Sequence, residues 1–578
     1  MSRRKLLEIL MMFICACAGA QEVGDLLLLT GSESPEQVSQ EDAERIERYV
    51  LHPLKINHVT PASLAESGLF TPFQVASITD YRQRHGDILS WTELQALDGF
   101  MNVSVELMKM VLSLDSSLPP GARSTKPAFS HDFSLRTGVR LAPDDEFQYG
   151  LKYSMQYGDI AKLNLGFSAP YGSEGCPSSV SLSCSYGCRR IPLKVTMGDF
   201  NARFGQGLAL WNGMSLNSLS APSSFMKRPS FISQPWSYTG TSAFTGLAAE
   251  YFPKRFRISV AAALPDLKYS SPSFMPMINA AYLGRIGHVA FTGWWMRAPS
   301  AENEARTAVD VGLCLKGTDV FAELSYDWYG LALAGLAGVC FPVGEYLKMA
   351  AMLRGYPAAY SPTYAGAARS TTGCTDEYAM SLASEYSKGI ITQTVSFDAA
   401  LFPEPKSGDT GRSFQAKMFG EWKVRAAPEF LLTFRITERY RTWGYNNRTD
   451  ARLEAAWASG PWGVNARVNL LFCKDTGALS YIEGAYVSDR FVIHLRQGVF
   501  FIDQWDDRIY VYERDAPGSF NVPAYYGRGV WSALSARGRI FRGLKAYLRA
   551  SWTAYPFMEE QKRKSGKAEL KLSFIYSF

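Results

Sequence analysis

The sequence predicts an all-β transmembrane antiparallel barrel preceded by a small all-α domain. Three observations point there. From His131 to Phe578, segments of roughly eight to twelve residues alternate apolar and polar side chains between turn residues, the period of a strand lying between an apolar and a wet medium. Tyr, Trp and Phe recur near the ends of those segments: Trp294, Trp295, Trp328, Tyr440, Trp443, Tyr445, Trp552 and Tyr555. The last segment, "ELKLSFIYSF", ends the chain on a strand and on Phe578. A soluble sandwich would use the same alternation, but a β region this long would then show domain linkers, and the sequence shows none.

Taken in order, residues 1–20 read as an export signal. Arg3, Arg4 and Lys5 form a positive start, Leu6 to Ala16 is mostly apolar, and Ala18-Gly19-Ala20 offers a cleavage site before Gln21. Removing the signal lowers the formal charge from +6 to +4 (6 − 3 + 1), too mild a balance to imply a polyanionic partner. Seven cysteines remain, Cys176, Cys184, Cys188, Cys314, Cys340, Cys374 and Cys473, an odd and scattered set that makes no disulfide framework; Cys176 and Cys188 could pair across one loop, but isolated thiols are the favoured reading. No metal-ligand spacing occurs, and no metal or cofactor is expected. Residues 21–50 form a polar leader with a short acidic-basic helix at Glu41 to Tyr49.

Residues 51–115 carry strong helix punctuation. Thr60-Pro61 and Thr71-Pro72 each place an N-cap residue before a proline at the first helical position. The second helix should run through "DYRQRH" and stop at Gly86, and Ser90-Trp91-Thr92-Glu93 is a capping-box pattern opening a third. Gly99 precedes a fourth, Asn102 to Leu112. A linker at 116–130 leads to the barrel at 131–578. At about twenty residues per strand and turn, that length predicts roughly 22 strands, give or take about four, with an even number preferred.

Within the barrel, Arg412 to Val424 illustrates the alternation. Phe414, Ala416, Met418, Gly420, Trp422 and Val424 share one face, while Gln415, Lys417, Glu421 and Lys423 share the other. In the last strand Ile575 is an apolar exception on the polar face. On predicted polar faces, Arg435, Arg439, Arg441, Arg452, Arg496 and Arg549 lie among Glu421, Asp450 and Glu454. They make either an anion-attracting pore lining or a salt-bridged wall, with the wall favoured. "MGDFNARFGQGLALW", Met197 to Trp211, lacks the strand-turn-helix context of a nucleotide fingerprint, so its glycines are read as permitting a bulge or close crossing. The turn-rich stretches Asn212 to Thr239 and Ala358 to Thr375 are read as long loops or a lumen constriction.

"KINHVTPASL", "ITDYRQRHGDILSWTELQAL" and "DGFMNVSVELMKMV" resemble the tandem helix-hairpin-helix domain of competence-type DNA receptors, over about a tenth of the chain. Together with the export signal, the expected barrel and the "GDF…RFGQGLALW" segment, the whole chain resembles helix-hairpin-helix outer-membrane β-barrel proteins of Bacteroidota. The resemblance implies a Gram-negative outer membrane and a periplasmic helical domain. It also implies contact with a nucleic-acid backbone, or a partner, through Gly68, Leu69, Thr71, Arg82, Arg84, His85, Gly99, Phe100 and Met101. In DNA-binding members each hairpin reads Gly-hydrophobic-Gly, whereas here Leu69-Phe70-Thr71 lacks both glycines and Gly99-Phe100-Met101 keeps one. Between residues 51 and 114 four cations (Lys55, Arg82, Arg84, Lys109) face six anions (Glu66, Asp80, Asp87, Glu93, Asp98, Glu106), a balance of −2 that disfavours nucleic acid. The expected partners are therefore the lipid bilayer and a periplasmic or outer-membrane protein. No nucleophile constellation appears, so no enzymatic activity is expected.

Overall fold

The computed structural model describes residues 32–578 apart from 33, 101–104, 117–128, 142–144, 174, 189–190, 214, 216–218, 239–241, 254, 266–272, 298–302, 408, 445–446 and 560–563. The export signal, Met101 and Tyr445 lie outside the described residues, as does most of the proposed linker.

Twenty-four antiparallel strands close a barrel, inside the range the sequence predicts and even in number. In chain order they are β1 (Phe129–Leu141), β2 (Glu146–Tyr157), β3 (Ala161–Ala169), β4 (Ser179–Cys188), β5 (Leu193–Arg203) and β6 (Phe244–Tyr251). Next come β7 (Phe256–Leu264), β8 (Met275–Leu283), β9 (Gly287–Met296), β10 (Glu304–Leu315), β11 (Thr318–Asp327) and β12 (Ala332–Val343). Then follow β13 (Leu347–Tyr356), β14 (Glu377–Lys388), β15 (Ile391–Phe402), β16 (Ser413–Ala427), β17 (Phe430–Arg441) and β18 (Asn447–Ser459). The last six are β19 (Trp462–Phe472), β20 (Thr476–Val487), β21 (Phe491–Ile502), β22 (Gly527–Phe541), β23 (Leu544–Ala554) and β24 (Lys567–Ser577). β24 pairs back onto β1, from Ala568↔Leu141 to Ser577↔Asp132. The terminal Phe578 completes the seam by exchanging backbone hydrogen bonds with His131 at 2.9 and 3.0 Å, its ring stacked on the imidazole. Closure leaves no strand edge exposed to hydrocarbon, where each unpaired N–H or C=O is costly.

The alternation resolves as the sequence predicts. Met418 on β16 faces outward, with Leu324, Leu353 and Leu495 exposed by 55%, 63% and 59% on other strands, while Gln415, Phe419 and Glu421 are buried inward. A continuous apolar outer belt around a polar interior is the inverse of a soluble protein and fits a bilayer. Two aromatic girdles bound it. Tyr186, Tyr251, Tyr282, Trp462 and Phe491 ring the end with short turns, and Phe147, Trp295, Trp328 and Trp552 ring the end with long loops. Three residues assigned to the girdle from sequence belong elsewhere, among them Trp443, which packs edge-on against the inward-facing Phe402. Trp294 points inward and donates to the Ala209 carbonyl at 2.9 Å, and Tyr555 is buried against Phe500. Cys176 and Cys188 sit at opposite ends of β4, too far apart to pair, and no disulfide forms among the described residues.

Five helices precede the barrel: α1 (Gln40–Leu51), α2 (Pro61–Glu66), α3 (Pro72–His85), α4 (Trp91–Ala96) and α5 (Val105–Val111). Their ends follow the punctuation. Thr60, Thr71 and Ser90 each accept a backbone N–H two or three residues inside the helix, Thr71 and Gln74 form a full capping box, and Gly86 at φ 88° ends α3. The helix expected at 41–49 is α1, which extends one residue further at its start and two at its end. A buried core of Ile46, Ile56, Leu64, Leu69, Phe70, Ile78, Ile88 and Val111 joins the helices and continues into inward-facing barrel residues Phe200, Phe204, Met277 and Trp294. The helices therefore pack inside the barrel, and residues 34–50 of the leader pack there with them.

Candidate functional site in the barrel lumen

The acidic residues of the N-terminal segment and the basic residues of the wall meet across the lumen. At the short-turn mouth, the Thr60 N–H donates to Asp159 at 2.7 Å, and His52 lies 3.1 Å from Asp132. Further in, Glu66 pairs with Lys194 on β5 at 2.5 Å and faces Lys162 on β3 at 3.9 Å, while accepting the Gln234 N–H at 3.1 Å. One turn apart along α1, Glu44 pairs with Lys152 on β2 at 3.1 Å, Glu47 accepts the Gly518 N–H at 2.8 Å, and Glu41 pairs with Arg203 on β5. Beyond α1, Glu36 reaches the opposite wall and pairs with Arg467 on β19 at 2.6 Å and Arg452 on β18 at 3.2 Å. Leu51 at the end of α1 packs against Ile575, Tyr547 and Ala516, so the apolar exception on β24 is a docking point for the helix.

Burial alone raises the Glu66 carboxyl, but Lys194 and Lys162 overcome it and hold the group at about 2. Burial likewise opposes ionisation of Glu36, and Arg452 and Arg467 reverse it to well below the usual carboxylate range. Glu47 has no such partner within reach. Burial pushes it up to about 8, with Glu44 and Asp515 adding to the rise and the Gly518 N–H and Lys152 opposing it. Its folded value exceeds its unfolded one, so its stabilisation is complete below about pH 4.3 and is lost as pH rises through 8. Tryptic cleavage after Arg45 and Arg48 in the folded barrel is expected to accelerate between pH 6 and 9. Glu47→Gln should flatten that rise, whereas an unchanged profile would remove Glu47 from the account.

The long loops enter the lumen from the other end. At Gly198, φ 93°, a Cβ would fall 2.2 Å from the Leu182 carbonyl oxygen, so β5 can come this close to β4 only with glycine. Above it Asp199 accepts the Leu182 N–H at 3.3 Å, and Phe200 to Arg203 are buried on both faces as the chain turns inward. "FGQGLALW" then folds around the Glu323 carboxylate of β11, which accepts N–H groups from Gln206 (2.6 Å), Leu208 (3.2 Å) and Ala209 (3.0 Å). Gly205 at φ 55° and Gly207 at φ 83° shape this nest, and a Cβ on Gly205 would lie 2.9 Å from Glu323. The motif does bind an anion, but the anion is the protein's own. The loop at 357–376 locks onto it: Tyr360 donates to the Leu208 carbonyl at 3.0 Å and the Gly366 N–H to Gly207 at 2.8 Å. The constriction reading of these loops is the one the structure supports.

Four of the arginines singled out from sequence, Arg435, Arg452, Arg496 and Arg549, line the interior with carboxylate partners. Arg435 donates to Glu421 at 3.0 Å, and Arg452 pairs with Glu454 as well as Glu36. Arg496 lies 2.7 Å from Glu483 and donates to the Tyr512 carbonyl, and Arg549 lies 2.5 Å from Glu513. Arg439 and Arg441 share the inward face of β17 with Arg435. Arg435, Arg452, Arg496 and Arg549 thus stand in salt-bridged positions along the wall.

The residues named for nucleic-acid or partner contact divide into two groups. Leu69 and Thr71 are buried inside the barrel, and a Cβ on Gly68 would meet Arg45 and Ser230, so the first hairpin offers no surface to a nucleic acid. Phe100 is also core, packed on Phe70 at 6.0 Å. Arg82 spends its guanidinium on the Val59 and Asn57 carbonyls at 2.7 and 2.8 Å. Arg84 and His85 remain exposed, with Arg84 2.9 Å from Asp80, and Gly99 is half-buried.

No protein-family model and no curated protein matches the chain. Among solved structures it is similar to the siderophore receptor PirA from Pseudomonas aeruginosa, at 9% identity over 79% of this chain and 81% of that one, with a TM-score of 0.38. It is also similar to the copper transporter OprC, at 9% identity over 77% and 80% with a TM-score of 0.40. The P pilus usher PapC translocation pore matches at 9% identity over 78% and 99%, with a TM-score of 0.38. Scores this low carry no functional argument, and the closed barrel stands on its own strand pairings.

The sequence reading missed Glu36, Glu41, Glu44, Glu47 and Glu66 on one side, and Lys152, Lys162, Lys194, Arg203 and Arg467 on the other. A signal existed: acidic residues concentrate in α1, and the early strands place lysines on their polar faces. Pairing between residues more than a hundred positions apart is invisible without the fold.

Proposed function

We propose that the chain is an outer-membrane β-barrel of a Gram-negative bacterium whose N-terminal helices plug the lumen and present a docking face to a periplasmic partner, as part of a transport or channel assembly. The observation that carries this reading is the set of buried acid–base pairs joining Glu36, Glu41, Glu44 and Glu66 to the wall. Short turns and the N-terminal segment share one end, and in barrels of this kind short turns face the periplasm. The four-helix arrangement resembles a helix-hairpin-helix pair; on this reading the scaffold is used to fill a pore. The acidic balance that disfavours DNA suits a basic lumen, and no observation favours nucleic acid as the ligand.

Planar-bilayer recordings test the plug. The whole protein is expected to be closed or nearly so, and Glu36→Gln/Glu44→Gln/Glu66→Gln to open at least several-fold more often. A parent protein that conducts as steadily as the triple variant would sink the plug reading.

A further inference from the structure

The helices meet the short-turn mouth unevenly. α3 leans on β8 to β10, and α1 reaches the far wall through Leu51, which packs on Tyr547 of β23 and Ile575 of β24. Beyond that contact the rim of β21 to β23 is basic. Over residues 488–492 and 537–547 stand Arg490, Arg537, Arg539, Arg542 and Lys545, against Asp489 alone. The four arginines are exposed and Lys545 is half-buried.

The sheet register forces these charges together. On the inward face Arg537 stands opposite Val492 and Tyr547, and Arg539 stands opposite Lys545. Arg539 also donates its N–H to the Arg490 carbonyl at 2.8 Å, which sets a further basic residue at the same level. Opposed residues have Cβ atoms about 5 Å apart, and residues two apart along a strand lie about 7 Å apart, so Arg537, Arg539 and Lys545 share one small patch. Like charges directly opposite each other destabilise a strand pair.

Deeper on the same strands each cation is matched. Arg496 on β21 lies 2.7 Å from Glu483, and Arg549 on β23 lies 2.5 Å from Glu513. Among the described residues, none of the five rim cations has a carboxylate within ion-pair distance. The nearby acids of α1 are engaged elsewhere, Glu44 with Lys152 and Glu47 with the Gly518 N–H. Relief of the repulsion is left to a ligand from outside.

Size and surroundings decide the class of that ligand. The positions Arg490, Arg539 and Lys545 cross three strands, about 10 Å at about 4.8 Å per step, with Arg537 one step further in. A single small anion spans only part of this row, whereas a run of carboxylates spans it all. A single-stranded nucleic acid would want aromatic faces to stack on, and the neighbouring Phe491 and Phe541 lie on the outward face, opposite Gly538 and Leu544. The patch faces the lumen, which turns it away from lipid headgroups, and its exposure lets charge steer a partner towards it.

We propose that the inward rim of β21 to β23 docks a run of acidic residues on a periplasmic protein, held by Arg537, Arg539 and Lys545. This rests on the reading of the short-turn mouth as a docking face and does not depend on the helices closing the pore.

The test titrates the full chain in nanodiscs with fluorescent hexaglutamate at about 0.15 M salt, with hexaglutamine as the neutral control. Hexaglutamate should bind and hexaglutamine should not. Arg537→Gln/Arg539→Gln/Lys545→Gln should weaken binding about tenfold or more, with heat-modifiable migration showing that the barrel still folds. Lys55→Gln/Lys109→Gln/Lys316→Gln, which removes as many exposed cations elsewhere, should bind like the parent. Equal affinity in the rim variant would overturn the proposal, as would a parent that ignores hexaglutamate. Full displacement by about 1 mM inorganic phosphate would reassign the patch to a small anion, and tighter binding of hexathymidylate would reassign it to nucleic acid; either overturns it. Conductance reads the plug separately: a closed parent that fails to bind hexaglutamate sinks only this proposal, and a conducting parent that binds it sinks only the plug.

Discussion

Lys152→Met is expected to release α1 from the wall of the folded barrel. Lys152 and Glu44 are both almost fully buried, with side chains exposed by 4% and 2%, and the ammonium also donates to the Trp236 carbonyl at 3.0 Å and lies over the Tyr238 ring at 3.9 Å. Removing the cation leaves the Glu44 carboxylate buried without its counter-charge, a loss of about 3–5 kcal/mol for pairs of this kind. Because the helix docks as a rigid segment, that loss appears as faster tryptic cleavage at Arg45 and Arg48 while the barrel keeps its heat-modifiable migration. The double variant Glu44→Gln/Lys152→Met removes both charges and should recover most of the protection, since a neutral pair carries no desolvated ion. If the single and double variants are cleaved at the same rate, the pair has no coupling and does not hold α1 to the wall.

The second large effect is expected at Glu323. Its carboxylate is the partner of three N–H groups in the Gln206 to Ala209 turn, and those groups have no water to turn to at this depth. Glu323→Ala orphans all three at about 1–3 kcal/mol each, so the loop should lose at least about 3 kcal/mol of protection. By mass-spectrometric amide exchange the peptide spanning Phe204 to Trp211 should exchange about 100-fold faster or more. The strands β10 and β11 on either side should keep their own exchange rates, because their ladders are intact. Unchanged exchange in that peptide would show that Tyr360 and Gly366 hold the loop without the carboxylate.

The elements most legible in the sequence are those whose cause is local. Thr71 with Gln74 and Gly86 bracket α3 because capping and a left-handed glycine act within a few residues. The inward and outward sets of β16 follow from a period of two. Even Ile575, visible as a break in the pattern, marked a real contact. Less legible were residues whose role depends on what the chain brings beside them. Trp294 and Trp295 are neighbours in sequence, yet one is a loop anchor in the lumen and the other a lipid-facing girdle residue. The glycines of "FGQGLALW" announced a special backbone without naming its occupant, which lies more than a hundred residues away on β11.

By itself, the sequence determined a bilayer-spanning barrel, its approximate strand number and the helices before it, because alternation, capping and hydrophobic belt are properties of short windows. Only the tertiary structure decided that those helices lie inside the barrel and that their acidic face is matched to a basic wall. Charge complementarity between distant segments is set by closure of the barrel, which brings Glu36 to Arg467 and Glu66 to Lys194 at once. No local pattern encodes which of the many lumenal cations each carboxylate will meet.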